Sequence, residues 1–228
     1  MENKNTYALV TGSTQGIGRY VANLLAAEGY NLIVIGHDSK HLGALSVDIQ
    51  SRFPVAVHTY EADLTSPDDA FVLYRDIKDQ EIQIATIAYS VHERKAFKEF
   101  AQTGIAKQYD AIQSNITNFI VLTRLFLPEM IARHSGKLIS AVEEKHIDTP
   151  PNAVYAATIA FLDSFMSSMT SELRGSGVSV SNIRSSMAAN NSHTIADKSN
   201  LEQAGKGMFR ALTYKERDGY ESFMRGDK

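Results

Sequence analysis

Thr11-Gly12-Ser13-Thr14-Gln15-Gly16-Ile17-Gly18 follows the apolar run Tyr7-Ala8-Leu9-Val10 and leads into a helical pattern of Ile17, Val21, Leu24 and Leu25. Strand, glycine-rich turn and helix start, in that order, predict a phosphate-binding platform. Gly12 takes the tight turn, Gly16 lets the backbone approach a pyrophosphate, and Gly18 lets helix and strand pack closely. The helix start adds unpaired N–H groups and a partial positive charge. Ser13, Gln15 and Ile17 share the turn and complete its set of candidate cofactor contacts. A glycine-rich turn that binds nothing is the alternative. The strand before it and the amphipathic helix after it weigh against that alternative.

Working outward, the 228 residues suit one domain spanning 1–228. The hydrophobic content of 43% is enough for a sizeable core, and a net charge of −3 with no basic run argues against a nucleic-acid partner. The absence of cysteine excludes disulfides, thiol catalysis and thiolate metal sites. Met1-Glu2-Asn3-Lys4-Asn5 lacks the apolar core of a signal peptide, and no stretch nears the roughly 20 apolar residues that span a bilayer. The expectation is a soluble cytoplasmic protein with no membrane association.

Along the chain, Asn31-Leu32-Ile33-Val34-Ile35 is a continuous apolar run ending at Gly36, as in a parallel strand covered on both faces. Ser39 is expected to cap a helix carrying Leu42, Leu45, Ile49 and Phe53. A third strand runs from Val55 to Tyr60. Ser66-Pro67-Asp68-Asp69 starts a helix whose buried side is expected at Phe71, Tyr74 and Ile77. Ile82 to Ala88 is the fourth strand. A helical pattern covers about Ile105 to Arg133, with a kink or a break expected near Pro128. Lys137 to Val142, a helix from about Ala153 to Arg174, and Val178 to Ile183 complete the alternation. The pattern predicts a doubly wound parallel sheet in a three-layer α/β/α sandwich. The loops after each strand then share one rim, where ligands of such sheets bind.

The Gly-x-x-x-Gly-x-Gly spacing after Thr11 resembles the short-chain dehydrogenase/reductase family, and the resemblance runs from residue 6 to about 185. It implies a Rossmann-like fold and a nicotinamide cofactor. Asp63-Leu64 matches the family pair that contacts the adenine, and Asn115 the helix asparagine that anchors a proton-relay water. Tyr155 stands where the catalytic tyrosine of Tyr-x-x-x-Lys stands, so Tyr155 and Asn115 are the candidate catalytic residues. The lysine position is Ile159, and the position of the carbonyl-polarising serine is Val142. Ser140 lies two residues earlier on the same strand face, deeper in the sheet. Glu143, beside Val142, would repel a developing oxyanion. The family's Asn-Asn-Ala-Gly is Ile87-Ala88-Tyr89-Ser90, which puts a bulky ring at a wall close to the cofactor. Its Pro-Gly after the sixth strand is Ser185-Ser186. Without a nearby cation, a phenol of pKa about 10 is rarely ionised at neutral pH.

His92, Glu93, Lys145 and His146 could reach the rim as substitute acid/base groups, although solvated loop residues are the plainer reading. Glu143-Glu144 with His146 is a weak metal motif, and no metal is expected. Gly36 replaces the acid that would favour NAD, and His37, Lys40 and His41 follow it. This favours NADP(H) over NAD(H). In the family the helices at 105–133 and 153–174 form a four-helix dimer interface, so a homo-oligomer, dimer or tetramer, is expected, with a hetero-oligomer as the variant. Residues 186–200 occupy the place of a mobile substrate lid, and Leu201, Ala204, Met208 and Leu212 form a helix face in the tail.

Two functions follow. One is an NADP(H)-binding protein with a degenerate site and little or no dehydrogenase activity, serving as a binding, regulatory or partner subunit. The other is an NADPH-dependent carbonyl reductase of 3-oxoacyl type that uses Tyr155 as general acid. Non-redox chemistry in the old pocket is a third possibility that no residue favours.

Overall fold

The computed structural model describes residues 6–62, 64, 66–91, 99–143 and 153–185. Its centre is a six-stranded sheet of order β3-β2-β1-β4-β5-β6. The strands are β1 (Thr6–Val10), β2 (Asn31–Gly36), β3 (Val57–Glu61), β4 (Gln83–Val91), β5 (Gly136–Glu143) and β6 (Val178–Ser185). Every pairing is parallel. The strand order reverses between β1 and β4, which is where a doubly wound sheet opens a crevice at its carboxyl edge.

The apolar strand runs divide cleanly between the two faces because side chains alternate along a strand. Leu32, Val34, Ala8 and Val10 pack with Ile17, Val21, Leu25, Leu42 and Ile49 of α1 (Gly16–Ala27) and α2 (Ser39–Arg52). Ile33, Ile35, Leu9 and Ile87 pack on the other side. There they meet residues of α3 (Pro67–Asp79), α5 (Asn118–Ala132) and α6 (Ala153–Glu172). Leu32 to Ile35 are all fully buried, so neither face of β2 meets water. Each such Leu or Ile side chain contributes about 1.5–3 kcal/mol relative to exposure. No described helix is long and apolar enough to cross a membrane.

Three expectations are corrected. The cap of α2 is Asp38, whose carboxylate accepts from the His41 N–H at 3.0 Å; Ser39 is already the first helical residue. On α3 the buried positions are Ala70, Leu73 and Ile77, with Tyr74 half-buried, while Phe71 is 53% exposed. The small Ala70 lets the helix approach the core, and the resulting phase turns Phe71 outward. The helical pattern from Ile105 does break, but not at Pro128. It divides into α4 (Ile105–Ile112), a π turn at Gln113–Thr117, and α5. Pro128 sits inside α5, where the carbonyl it leaves unpaired belongs to exposed Arg124 and can meet water. Elsewhere the strand and helix bounds differ from expectation by a few residues, as helix and strand ends do.

Candidate functional site

The glycine turn leaves β1 and is held at three points. Thr11 N–H donates to the Ala88 carbonyl at 3.1 Å, and the Ser90 N–H donates to Thr11 Oγ1 at 3.0 Å. Ser13 donates through both N–H and Oγ to the Ile35 carbonyl, at 3.3 and 3.2 Å. The turn is thus pinned to the ends of β4 and β2 across the switch point. Gly12 and Gly16 have φ of 58° and 54°, the left-handed region that costs side-chain-bearing residues most. A Cβ on Gly18 would lie 2.2 Å from the Gly12 carbonyl oxygen and 2.9 Å from Ser90 Oγ. The first turn of α1 is therefore packed against the glycine turn, with Gln15 at its N-cap and making no side-chain cap bond. Ser13, Ile17 and Gly18 are buried and Gln15 is exposed, so the outward surface of the turn is backbone and Gln15. This geometry fits a dinucleotide pyrophosphate.

At the end of β2, a Cβ on Gly36 would come within 3.2 Å of the Thr14 methyl. A larger residue there would crowd the turn. His37 and Lys40 are exposed beside it. His41 instead pairs with Asp38, Nδ1 to Oδ2 at 2.6 Å. The Asp38 carboxyl is held below the usual carboxylate range by the backbone N–H of His41, then by its side chain. Leu64 is half-buried and its carbonyl accepts from the Asn118 amide. Asp63, the other half of the expected adenine pair, lies outside the described residues, as do His92, Glu93, Glu144, Lys145, His146, the expected lid and the tail.

The second half of the site lies beyond β4 and β5. Tyr155 and Val142 are both buried and share one cluster with Tyr89 and Phe119, against which Ile159 packs half-buried. Asn115, in the π turn, is buried and donates from Nδ2 to Thr158 Oγ1 at 3.3 Å. Thr158 in turn donates to the Tyr155 carbonyl at 2.8 Å. The two expected catalytic residues are therefore joined through Thr158, a residue the sequence did not single out. Its i+3 spacing from Tyr155 was the available signal. Ser140 is fully buried and stands opposite Tyr89 and Asn182 in the sheet, behind Val142, and its hydroxyl has no partner among the described residues. It does not replace the missing serine.

Tyr89 corrects an expectation. Its ring does not cross the cofactor wall but lies 2% exposed in the core, 4.9 Å from the Phe119 ring. Its hydroxyl donates to the Ser114 carbonyl in the π turn. Burial raises the phenol's pKa, so it stays a neutral donor.

Known proteins resemble the chain in sequence and in fold. The profile of the family described as short chain dehydrogenase matches residues 6–199. The very-long-chain 3-oxoacyl-CoA reductase of Phaeosphaeria nodorum is 31% identical over 191 residues, covering 80% of this chain and 54% of that protein. The inactive hydroxysteroid dehydrogenase-like protein 1 of Homo sapiens is 27% identical over 179 residues, covering 78% and 54%. The chain thus spans about half the length of these curated relatives. A metagenomic short-chain oxidoreductase solved in complex with NADP superposes with a TM-score of 0.75 at 21% identity, covering 93% of this chain and 92% of that one. A short-chain dehydrogenase from Sphingobium yanoikuyae in complex with NADPH gives 0.73 at 22%, covering 90% and 85%. At these identities the two structures speak for the fold.

Proposed function

The chain belongs to the short-chain dehydrogenase family, and on that footing we propose that it binds a nicotinamide dinucleotide, NADP(H) ahead of NAD(H), while its reductase site is degenerate. One observation carries this reading. The phosphate turn is built to close tolerance, with the Gly12 carbonyl where a Gly18 Cβ would be, yet Val142 and Ile159 stand at the serine and lysine positions. Valine cannot polarise a carbonyl by hydrogen bonding, and isoleucine offers no cation to a tyrosine. The glycine turn would hold the pyrophosphate, Leu64 the adenine, and His37 with Lys40 the 2′-phosphate. Bound NADPH would supply a hydride; the chain's own part is binding and orientation. Such a protein serves as a binding, regulatory or partner subunit.

A second reading, a carbonyl reductase of 3-oxoacyl type, is favoured by Tyr155 and Asn115 at the family's positions, with Asn115 joined to the Tyr155 turn of α6 through Thr158. It also draws on the 3-oxoacyl-CoA reductases among the relatives. Titration with NADPH and NADH, followed by nicotinamide fluorescence, tests the first claim, and no binding at millimolar nucleotide would sink it. Turnover of 3-oxoacyl thioesters that disappears in Tyr155→Phe would establish the second reading instead.

For assembly, we propose a symmetric homodimer through α4 and α6. Ile105 and Tyr109 on α4 are 69% and 63% exposed, and Ile112 continues their face. Neighbouring α6 turns Ala153, Ala157 and Ala160 outward, leaving a shallow surface for such side chains.

A further inference from the structure

A π turn carries one residue too many for the α-helical ladder, so some of its carbonyls lose their helical partners. Around Gln113–Thr117, where the Gln113 carbonyl keeps a π-type bond from the Asn118 N–H, side chains supply further donors. The Ser114 carbonyl accepts from the buried Tyr89 hydroxyl on β4. The Gln113 carbonyl accepts from Asn118 Nδ2 at 3.3 Å. The same Asn118 amide donates to the Leu64 carbonyl after β3, and Asn118 is fully buried. From the other side of the turn, Asn115 reaches Thr158 on α6, and Thr158 holds the Tyr155 carbonyl. Three segments distant in sequence therefore meet at the turn and the first residue of α5: the end of β4 at Ser114, the first turns of α6 at Asn115 and the loop at Leu64 at Asn118.

We propose that this π turn is a common anchor for both ends of the rim and that Tyr89 is its latch, a positioning residue acting through Ser114 on Leu64 and Tyr155 together. The contacts alone carry the inference; the nucleotide reading enters only the last part of its test. Tyr89 suits the role because its ring packs against Phe119 and its hydroxyl donates to the Ser114 carbonyl. Phenylalanine in its place keeps the packing and removes only the bond. The part-buried Ser114 carbonyl then loses the Tyr89 donor, and the turn gains by rearranging toward a regular helix. That rearrangement shifts Asn115 and Asn118 in phase, releasing both arms.

The test is amide hydrogen exchange on the full chain without ligand. In Tyr89→Phe, exchange should rise about tenfold or more in peptides covering 113–118, 153–159 and Leu64 alike. Faster exchange confined to 113–118 would overturn the proposal. Should Tyr89→Phe fail to fold, Asn118→Ala decides: the Leu64 peptide should open while 153–159 stays protected. Opening of both, or of neither, counts against a two-armed anchor. Adenosine 2′,5′-bisphosphate and NADPH separate this from the functional reading. If wild type binds neither, that reading fails, and the exchange result still stands for or against the latch.

Discussion

Gly18 shows how little freedom the turn has. Alanine there would put a methyl 2.2 Å from backbone, which cannot rotate away as a side chain could. Gly18→Ala should cost about 1–3 kcal/mol in urea denaturation and abolish NADPH binding, because the turn must open to admit the methyl. Ser140 points the other way. Its hydroxyl is buried with no partner among the described residues, so Ser140→Ala removes a group they leave unsatisfied at little cost in volume. Stability should hold or rise, by up to about 1–2 kcal/mol, and a clear loss would show that the hydroxyl has a partner after all. These residues also show what a sequence discloses. Gly18 is legible because its role is local, set by the strand before it and the helix after it. Tyr89 is not, since its partner lies 25 positions away in a turn that no glycine or proline announces.

At the scale of elements, α2 offers a test in pH. The Asp38 carboxyl is depressed in the folded protein by the His41 N–H and side chain, whereas unfolded it titrates near about 3.9. A depressed carboxyl stabilises above its unfolded pKa, and the contribution is lost as pH falls through the folded value. Asn in its place still caps but does not titrate. The stability advantage of wild type over Asp38→Asn should therefore shrink as pH falls below about 4, as read by denaturant melts. An advantage unchanged down to about pH 2 would show that the carboxylate adds nothing to the cap. The strands were readable from continuous apolar runs, and the helices from their period. The break in the long helix was expected at Pro128 because proline is the breaker visible in sequence. The actual break is a π turn where contacts from β4, α6 and the Leu64 loop converge, and periodicity does not carry such contacts.

For the molecule as a whole, the proposed dimer makes a plain prediction. Ile105→Asp with Tyr109→Asp places two charges on an exposed face that contributes nothing to the monomer's core. Sedimentation should shift from dimer to monomer with the melting temperature of the isolated chain little changed; an unaltered dimer would put the interface elsewhere. The order of the sheet has a different consequence, in time. β1 meets β2 through one short crossover but meets β4 only after α2, β3 and α3 have been made, with Thr6 and Gln83 side by side although 77 positions apart. Closing so long a loop is slow compared with forming the first hairpin-sized units. As the chain leaves the ribosome, β1, β2 and β3 can assemble first, with the central seam still open. The bond from Thr11 to Ala88 and that from Ser90 to Thr11 form only when β4 docks. The phosphate turn, written near the beginning of the chain, thus becomes rigid only once β4 has docked, and a nucleotide present during synthesis would meet its platform only after the seam had shut.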